Sequence, residues 1–339
     1  MPDARHRLQE IDVLRGFAAV WVMFSHYLPH WNDFLGPALV IIPRHYGYYA
    51  VELFFVISGF VIFMTLDRCR SVRDFAVLRF SRLYPAYWAT LLFVTAISIF
   101  AFGGKLWVGG LLANLTMFQE FIRFPNLDNV YWSLTVELAF YVNAAWLFAL
   151  GWHRRLTIVL PAWLLISCLW ALTLSAPQVE VGERDWLALL FALDHAPFFV
   201  LGIVFFDAAK HGWSPFRAAM IAFAIAAEYL ISAWTGVCVA AVVTLVFWAA
   251  TRGHLRFLVA RPTLWLGAIS YSLYLVHRNL GYQALDWMHA HGLGAAVAVP
   301  VAMVCALLLA TLFAYGIERP ALARIRSWHE KRSAAGLAV

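Results

Sequence analysis

Apolar stretches of about 20 residues recur from one end of the chain to the other, with short polar segments between them. A helix of about 20 residues crosses roughly 30 Å of hydrocarbon, so each stretch predicts one membrane span. We predict an all-α, polytopic integral membrane protein with about ten transmembrane helices around a central cavity. The spans are predicted at 10–29, 46–66, 83–103, 131–150, 155–174, 186–208, 215–232, 234–251, 264–285 and 294–317.

The predicted spans leave no stretch for a soluble domain, so we expect a single transmembrane domain over residues 1–339 with no appended soluble domain. The longest connection, 104–130, contains an apolar piece that we expect to be interfacial or re-entrant and not a crossing. The first apolar stretch contains Arg15 and His26 and lacks a small-residue cleavage site. We therefore do not expect it to be a removable signal peptide.

Composition supports this fold class. Hydrophobic residues make up 63% of the chain and charged residues 13%, whereas an ordinary globular protein carries about 25% charged residues. Such a composition excludes a water-soluble surface. The four cysteines have no metal-type spacing, so we expect neither a metal site nor a disulfide framework.

Basic residues lie mainly on one side of the predicted membrane. Loops on the side of the termini carry nineteen Lys and Arg residues, and the opposite loops carry four. The positive-inside rule makes the basic side cytoplasmic and places both termini there. The net charge of +6 therefore reflects membrane orientation, and we expect no nucleic-acid partner.

Ionisable side chains inside the spans are candidates for function, because they are costly in hydrocarbon unless they face a partner or a wet cavity. At about 1.5 Å per residue, several of them lie within roughly 15 Å of the outer face. They are His26, Glu52, Glu137, Asp194, His195 and His277. This layout predicts an acid–base layer above a basic cytoplasmic mouth. Asp194 and His195 form either a second buried pair or a polar notch before Pro197.

Arg15 and His26 are eleven residues apart and so share one face of a helix, with roughly 16 Å between them along the axis. This separation suits the pantetheine arm of a coenzyme A thioester that enters from the cytoplasm. The alternative is an interfacial arginine that snorkels and a histidine that is bonded to a neighbouring helix.

Arg79 and Arg82 lie one turn apart on a helix and form a cationic pair suited to phosphate. An ordinary positive-inside loop is the alternative. Glu52 and Glu137 are carboxylates that need a donor or a proton, and either can orient His26 at Nδ1. The alternative for each is a structural carboxyl bonded to a nearby Trp, Tyr or Ser.

Ser270, Tyr274 and His277 fall on roughly one helix face. This face is either a hydrogen-bonding wall for an acceptor substrate or a contact between helices through small polar residues.

Taken in order, these segments resemble the acyltransferase 3 family of bacterial integral membrane acyltransferases. Single motifs of this kind are weak, but several in register are specific. The matching segments are Ile11 to Ala19 running on to His26, Gly47 to Gly59, Arg79 to Pro85, Trp132 to Tyr141, and Ser270 to His277.

The resemblance implies transfer of an acyl group, most often acetyl, from cytoplasmic acyl-CoA to a hydroxyl of a carbohydrate or glycolipid at the outer side of the bacterial inner membrane. By the same match, the Arg-x10-His motif falls on Arg15 and His26, and the Arg-x-x-Arg motif on Arg79 and Arg82. The family often has Asp where this chain has Glu52. Acetyl-CoA or another acyl-CoA is then a donor substrate, and no metal is needed.

Two mechanisms remain open, direct attack on the thioester with His26 as general base and an acyl-histidine intermediate. A different class of function is also open. About ten spans with ionisable groups near the midplane also describe secondary transporters or exporters of a glycan or an acylated metabolite, although no inverted repeat is visible.

Overall fold

The computed structural model describes residues 4–36, 46–174 and 181–334. Within these ranges the chain is all-α, joined by short 3-10 and π-helical turns. The α-helices are α1 Ala4–His30, α2 Tyr46–Leu66, α3 Val72–Phe100, α4 Val108–Leu115, α5 Trp132–Ala149, α6 Leu156–Leu174, α7 Val181–Leu190, α8 Ala196–His211, α9 Pro215–Arg252, α10 Arg261–Ala290, α11 Ala295–Phe313 and α12 Arg319–Ala334.

The described residues include five helical segments that are long and apolar enough to cross a membrane. Their length and composition identify a membrane protein. The segments are Tyr49–Leu66, Val72–Phe100, Leu156–Thr173, Pro215–Arg252 and Ala295–Arg332. The α-helix in the connection 104–130 is the eight-residue α4, which is too short to cross a membrane.

The predicted span at 186–208 is not one continuous helix. Helix α7 ends at Leu190, Ala192 has a positive φ of 48°, and α8 begins at Ala196 after a 3-10 turn. Pro197 explains the restart, because proline lacks the N–H that a helix interior needs but suits the first turn.

Side chains of neighbouring helices bond to the carbonyl groups that this break releases. Asn143 donates to Leu190 O at 2.5 Å, Trp163 to Phe191 O at 2.8 Å and Ser167 to Leu193 O at 2.5 Å. In an apolar environment such replacement partners are what allow a helix to be interrupted.

Helix α9 folds back on itself at Ser232 and Ala233, where both residues have non-helical backbone angles. A Cβ placed on Gly236 would lie 2.9 Å from Glu228 O, whereas eight residues of straight helix span about 12 Å. The backbone break falls between the predicted segments 215–232 and 234–251.

The chain forms two compact units. The first contains Met1–Arg15, Val51–Phe75 and Ser133–Arg261. In this unit α2 and α8 pack backbone against backbone at Gly202, where an added Cβ would meet Val56 O and would lie 2.8 Å from Phe60 N. Small residues allow such close helix crossings in membrane proteins.

The second unit contains Gly16–Ala50, Ala76–Trp132 and Pro262–Val339. Here α1 and α10 approach closely at Gly16, where an added Cβ would lie 2.6 Å from Gly267 N. Side chains of α3 hold the end of α4, since Tyr87 donates to Asn114 O at 2.7 Å and Trp88 to Leu115 O at 2.8 Å. The pairing of α1 with α10 is what brings the candidate site together.

We expect Gly202→Ala to destabilise the protein by about 2 kcal/mol or more, because the new methyl group has no space between α2 and α8. Thermal unfolding in detergent measures the effect. Gly316→Ala is the matched control, because a Cβ at Gly316 meets nothing within 4 Å. Equal melting temperatures for the two variants would contradict the close crossing.

Candidate active site

His26 lies in the second unit, in the last two turns of α1 and against α10. Its Nδ1 is 3.1 Å from the Tyr282 hydroxyl, and its ring centroid is 5.2 Å from that of His277. The neighbouring Tyr27 donates its hydroxyl to His277 O at 2.6 Å. A carboxylate was expected at His26 Nδ1, and the structure places a phenol hydroxyl there.

His277 is fully buried, and its tautomer is fixed by its surroundings. Nδ1 lies 3.1 Å from Leu273 O and 2.9 Å from Tyr274 O. Both neighbours are acceptors, so Nδ1 carries the hydrogen of the neutral ring and Nε2 is left as an acceptor. Nε2 has no hydrogen-bond partner among the described residues. A buried acceptor of this kind, beside His26, is suited to a donor on a bound substrate.

His30 and Asp286 extend this cluster, and sequence reasoning missed both. The His30 ring stacks on Tyr282 with centroids 3.9 Å apart, and its Nε2 is 2.7 Å from Asp286 Oδ1. The spacing of these residues along the sequence was the signal that could have revealed them. His26 and His30 are four residues apart on one helix, as are Tyr282 and Asp286 on the other.

Asp128 ties the loop before α5 to α10. Its carboxylate accepts from Asn279 N at 3.1 Å and from Val130 N at 3.3 Å, and it lies 3.4 Å from Arg278 Nη1. Burial raises the pKa of the Asp128 carboxyl above its ordinary value, while Arg278 and the two backbone N–H groups act in the opposite direction. Asp128 is another residue that the sequence did not single out.

The predicted arginine pair of α3 has a carboxylate neighbour that the sequence did not reveal. Arg82 Nη1 lies 2.5 Å from Glu318 Oε1, and Ser272 donates to Glu318 Oε2 at 2.7 Å. Glu318 is 1% exposed, so Arg82 balances a buried charge. Arg79 is also largely buried, at 9% exposure.

Glu52 and Glu137 both have partners within the first unit. Glu52 Oε1 lies 3.2 Å from His195 Nδ1, and the Phe55 ring packs beside that imidazole. Glu137 accepts hydrogen bonds from Ser58 and, at 2.6 Å, from Tyr141. These contacts favour the structural interpretation of Glu137. They also make Glu52 and His195 an acid–base pair in their own right.

Asp194 is exposed and accepts from Trp170 Nε1 at 3.1 Å, which argues against a buried pair with His195. Arg15 is partly buried and lies 3.7 Å from Asp12 of the preceding turn, within the first unit. Among the described residues, no group of three or more His, Cys, Asp or Glu side chains could hold a metal ion.

The Ser270 face of α10 contacts protein groups. Ser270 is fully buried and donates to Gly267 O at 2.8 Å, and Tyr274 donates to Val130 O at 3.0 Å. For these two residues the contacts favour helix packing over an acceptor wall. His277 presents Nε2, an acceptor atom with no hydrogen-bond partner among the described residues.

The chain shares its sequence pattern with known acyltransferases. The acyltransferase 3 family model, described as an acyltransferase domain, matches residues 8–319 and so includes parts of both units. Acyltransferase MdmB of Streptomyces mycarofaciens is 28% identical over 95% of this chain and 93% of its own length. Exopolysaccharide production protein ExoZ of Rhizobium meliloti strain 1021 is 27% identical over 86% of this chain and 94% of its own.

A more distant relative is peptidoglycan O-acetyltransferase OatA of Listeria monocytogenes, which is 25% identical over 52% of this chain and 30% of its own length. No solved structure matches the chain significantly. Because the family model covers nearly the whole sequence, the chain belongs to the acyltransferase 3 family and is an acyltransferase.

Proposed function

We propose that this protein is a membrane-bound O-acyltransferase that moves an acyl group, most often acetyl, from cytoplasmic acyl-CoA to a hydroxyl of a carbohydrate or glycoconjugate at the outer side of the membrane. The observation that carries the proposal is His26, held against α10 by its contact with Tyr282 and beside the acceptor nitrogen of His277. An imidazole in this setting is a suitable general base for a hydroxyl.

The proposed reaction moves one proton and one acyl group. His26 Nε2 takes the proton of the acceptor hydroxyl, and the oxygen attacks the thioester carbonyl carbon. The tetrahedral intermediate collapses as the carbon–sulfur bond breaks, and the protonated His26 returns the proton to the departing thiolate. The products are an ester and free CoA, so atoms and charge balance. Attack by His26 itself, to give an acyl-histidine, uses the same residue.

The donor is proposed to bind from the cytoplasmic side. Arg79 is the phosphate ligand, with Arg82 beside it and held by Glu318. Arg15 lies on α1, as does His26, and guides the thioester arm along that helix. Nineteen of the basic residues fall on the side of the termini by the proposed topology, which favours an anionic donor there.

The acceptor class is drawn from the relatives. One of them is named for exopolysaccharide production and one for peptidoglycan O-acetylation, which supports a carbohydrate acceptor. We further propose ten spans, with the two arms of α9 counted separately and with both termini in the cytoplasm of a bacterial cell.

We expect His26→Ala to lower kcat by about 100-fold or more, because the general base is lost, while affinity for acetyl-CoA changes little. Release of CoA thiol in the presence of native membranes measures turnover, and calorimetry measures donor affinity. His291→Ala removes an exposed histidine at the end of α10 and serves as the control. Full turnover by His26→Ala would rule out the general-base assignment.

We expect substitutions of Arg79 and Arg82 to have different effects on donor binding and on stability. Arg79→Gln should weaken acetyl-CoA binding, because its proposed role is to contact phosphate. Arg82→Gln should destabilise the protein by about 3 kcal/mol, since it leaves Glu318 buried without its cation.

Arg82→Gln combined with Glu318→Gln is the matched control, because it removes both charges. It should recover most of the stability that Arg82→Gln loses. Calorimetry and thermal unfolding provide the two readouts. Unchanged acetyl-CoA affinity in folded Arg79→Gln would contradict the donor site.

A further inference from the structure

Tyr282 contacts two histidines of α1 in different ways. Its hydroxyl oxygen is 3.1 Å from His26 Nδ1, and its ring stacks on the His30 imidazole with the planes 10° apart. His26 and His30 are one helical turn apart and project from the same face of α1. A single side chain of α10 therefore touches both.

His30 is itself held in place. Its Nε2 lies 2.7 Å from Asp286 Oδ1, one turn after Tyr282 on α10. The His30 side chain is 10% exposed and that of Asp286 is 53% exposed, so the pair runs from the interior toward the surface. His26, His30, Tyr282 and Asp286 therefore form one cluster between α1 and α10.

The Tyr282 ring has a second contact that fixes its plane. The Arg278 guanidinium lies 5.0 Å from the ring centroid, and its Nη1 is 3.4 Å from Asp128 Oδ1. The ring is thus restrained by a stacked imidazole and by a guanidinium that is anchored to a buried carboxylate. A phenol held in this way presents its oxygen at a defined position.

The tautomer of His26 follows from the chemistry that it must perform. A neutral imidazole carries one hydrogen, so a ring that accepts a proton at Nε2 must carry its hydrogen at Nδ1. That N–H needs an acceptor, and the Tyr282 oxygen is within hydrogen-bond distance. The phenol is neutral, so it orients the ring without the full electrostatic stabilisation that a carboxylate would give an imidazolium.

We propose that Tyr282 is a positioning residue for His26: its hydroxyl oxygen accepts the Nδ1–H bond and fixes the tautomer in which Nε2 takes the substrate proton. His30, held by Asp286, sets the plane of the Tyr282 ring. This inference rests on the general-base role of His26 that is proposed above.

Tyr282→Phe tests the proposal because it keeps the ring and its stacking on His30 and removes only the oxygen. We expect kcat to fall on the order of 10-fold, the effect of one lost hydrogen bond, while KM for acetyl-CoA stays within about 2-fold. Tyr87→Phe is the matched control, since it removes a buried hydroxyl that donates to Asn114 O elsewhere in the same unit, and its kcat should not change.

His30 provides a second pair of variants that leave Tyr282 intact. His30→Phe retains an aromatic ring to stack on Tyr282, and His30→Ala does not. We expect His30→Ala to lower kcat more than His30→Phe does, because only His30→Phe keeps a ring against Tyr282. If Tyr282→Phe does not fold, this pair decides the question, and equal kcat for the two His30 variants overturns the proposal.

Other outcomes separate this proposal from the one on which it rests. Wild-type kcat in Tyr282→Phe, with His26→Ala inactive, overturns the role of Tyr282 and leaves the general base in place. A rise in KM with kcat unchanged assigns Tyr282 to substrate binding and also overturns its positioning role. Full activity in His26→Ala rules out the general-base role on which this inference rests.

Discussion

A polar side chain inside an apolar helix must find its partner within the protein, and this requirement explains the polar interior of both units. Glu52 lies against His195, and Glu137 accepts from Ser58 and Tyr141. In the second unit the corresponding contact joins Arg82 and Glu318. Apart from the Glu137–Tyr141 contact, which lies within α5, each contact joins different segments of the chain, so the same interactions that satisfy polar groups also hold helices together.

The candidate base is placed by the same constraint. His26 is stable in α1 because α10 offers it the Tyr282 hydroxyl, and α10 can come close because Gly16 has no side chain at the crossing. The neighbouring His277 has its hydrogen fixed on Nδ1 by two carbonyl groups. The backbone of α10 therefore sets which nitrogen of His277 carries the hydrogen, and packing of α10 against α1 sets what His26 contacts.

Much of the fold could be predicted from hydropathy, because span length is set by the membrane and is legible in the sequence. The division of α9 near residue 233 was predicted in this way. The break before α8 was not predicted, because hydropathy is averaged over a window and carries no information about a single residue with positive φ. Pro197 marks this break in the sequence, but it was interpreted only as the residue that follows a polar notch.

The residues of the site were partly predictable. His26, Arg79 and Arg82 were predicted as candidates because an ionisable group within or beside an apolar span is conspicuous. Their partners were not found, because they lie far away in sequence. Tyr282 is 256 residues from His26, and Glu318 is 236 residues from Arg82. A tyrosine or glutamate near a helix end is ordinary in composition, and only the packing of the helices shows what it contacts.

The sidedness of the reaction tests the central claim most directly. Radiolabelled acetyl-CoA does not cross membranes, so sealed vesicles from native cells can present it to one face at a time. The account predicts that inside-out vesicles, which expose the cytoplasmic face, incorporate label into carbohydrate material and that right-side-out vesicles do not. Equal incorporation from the outer face, or no incorporation from either face in the presence of the folded protein, would contradict it.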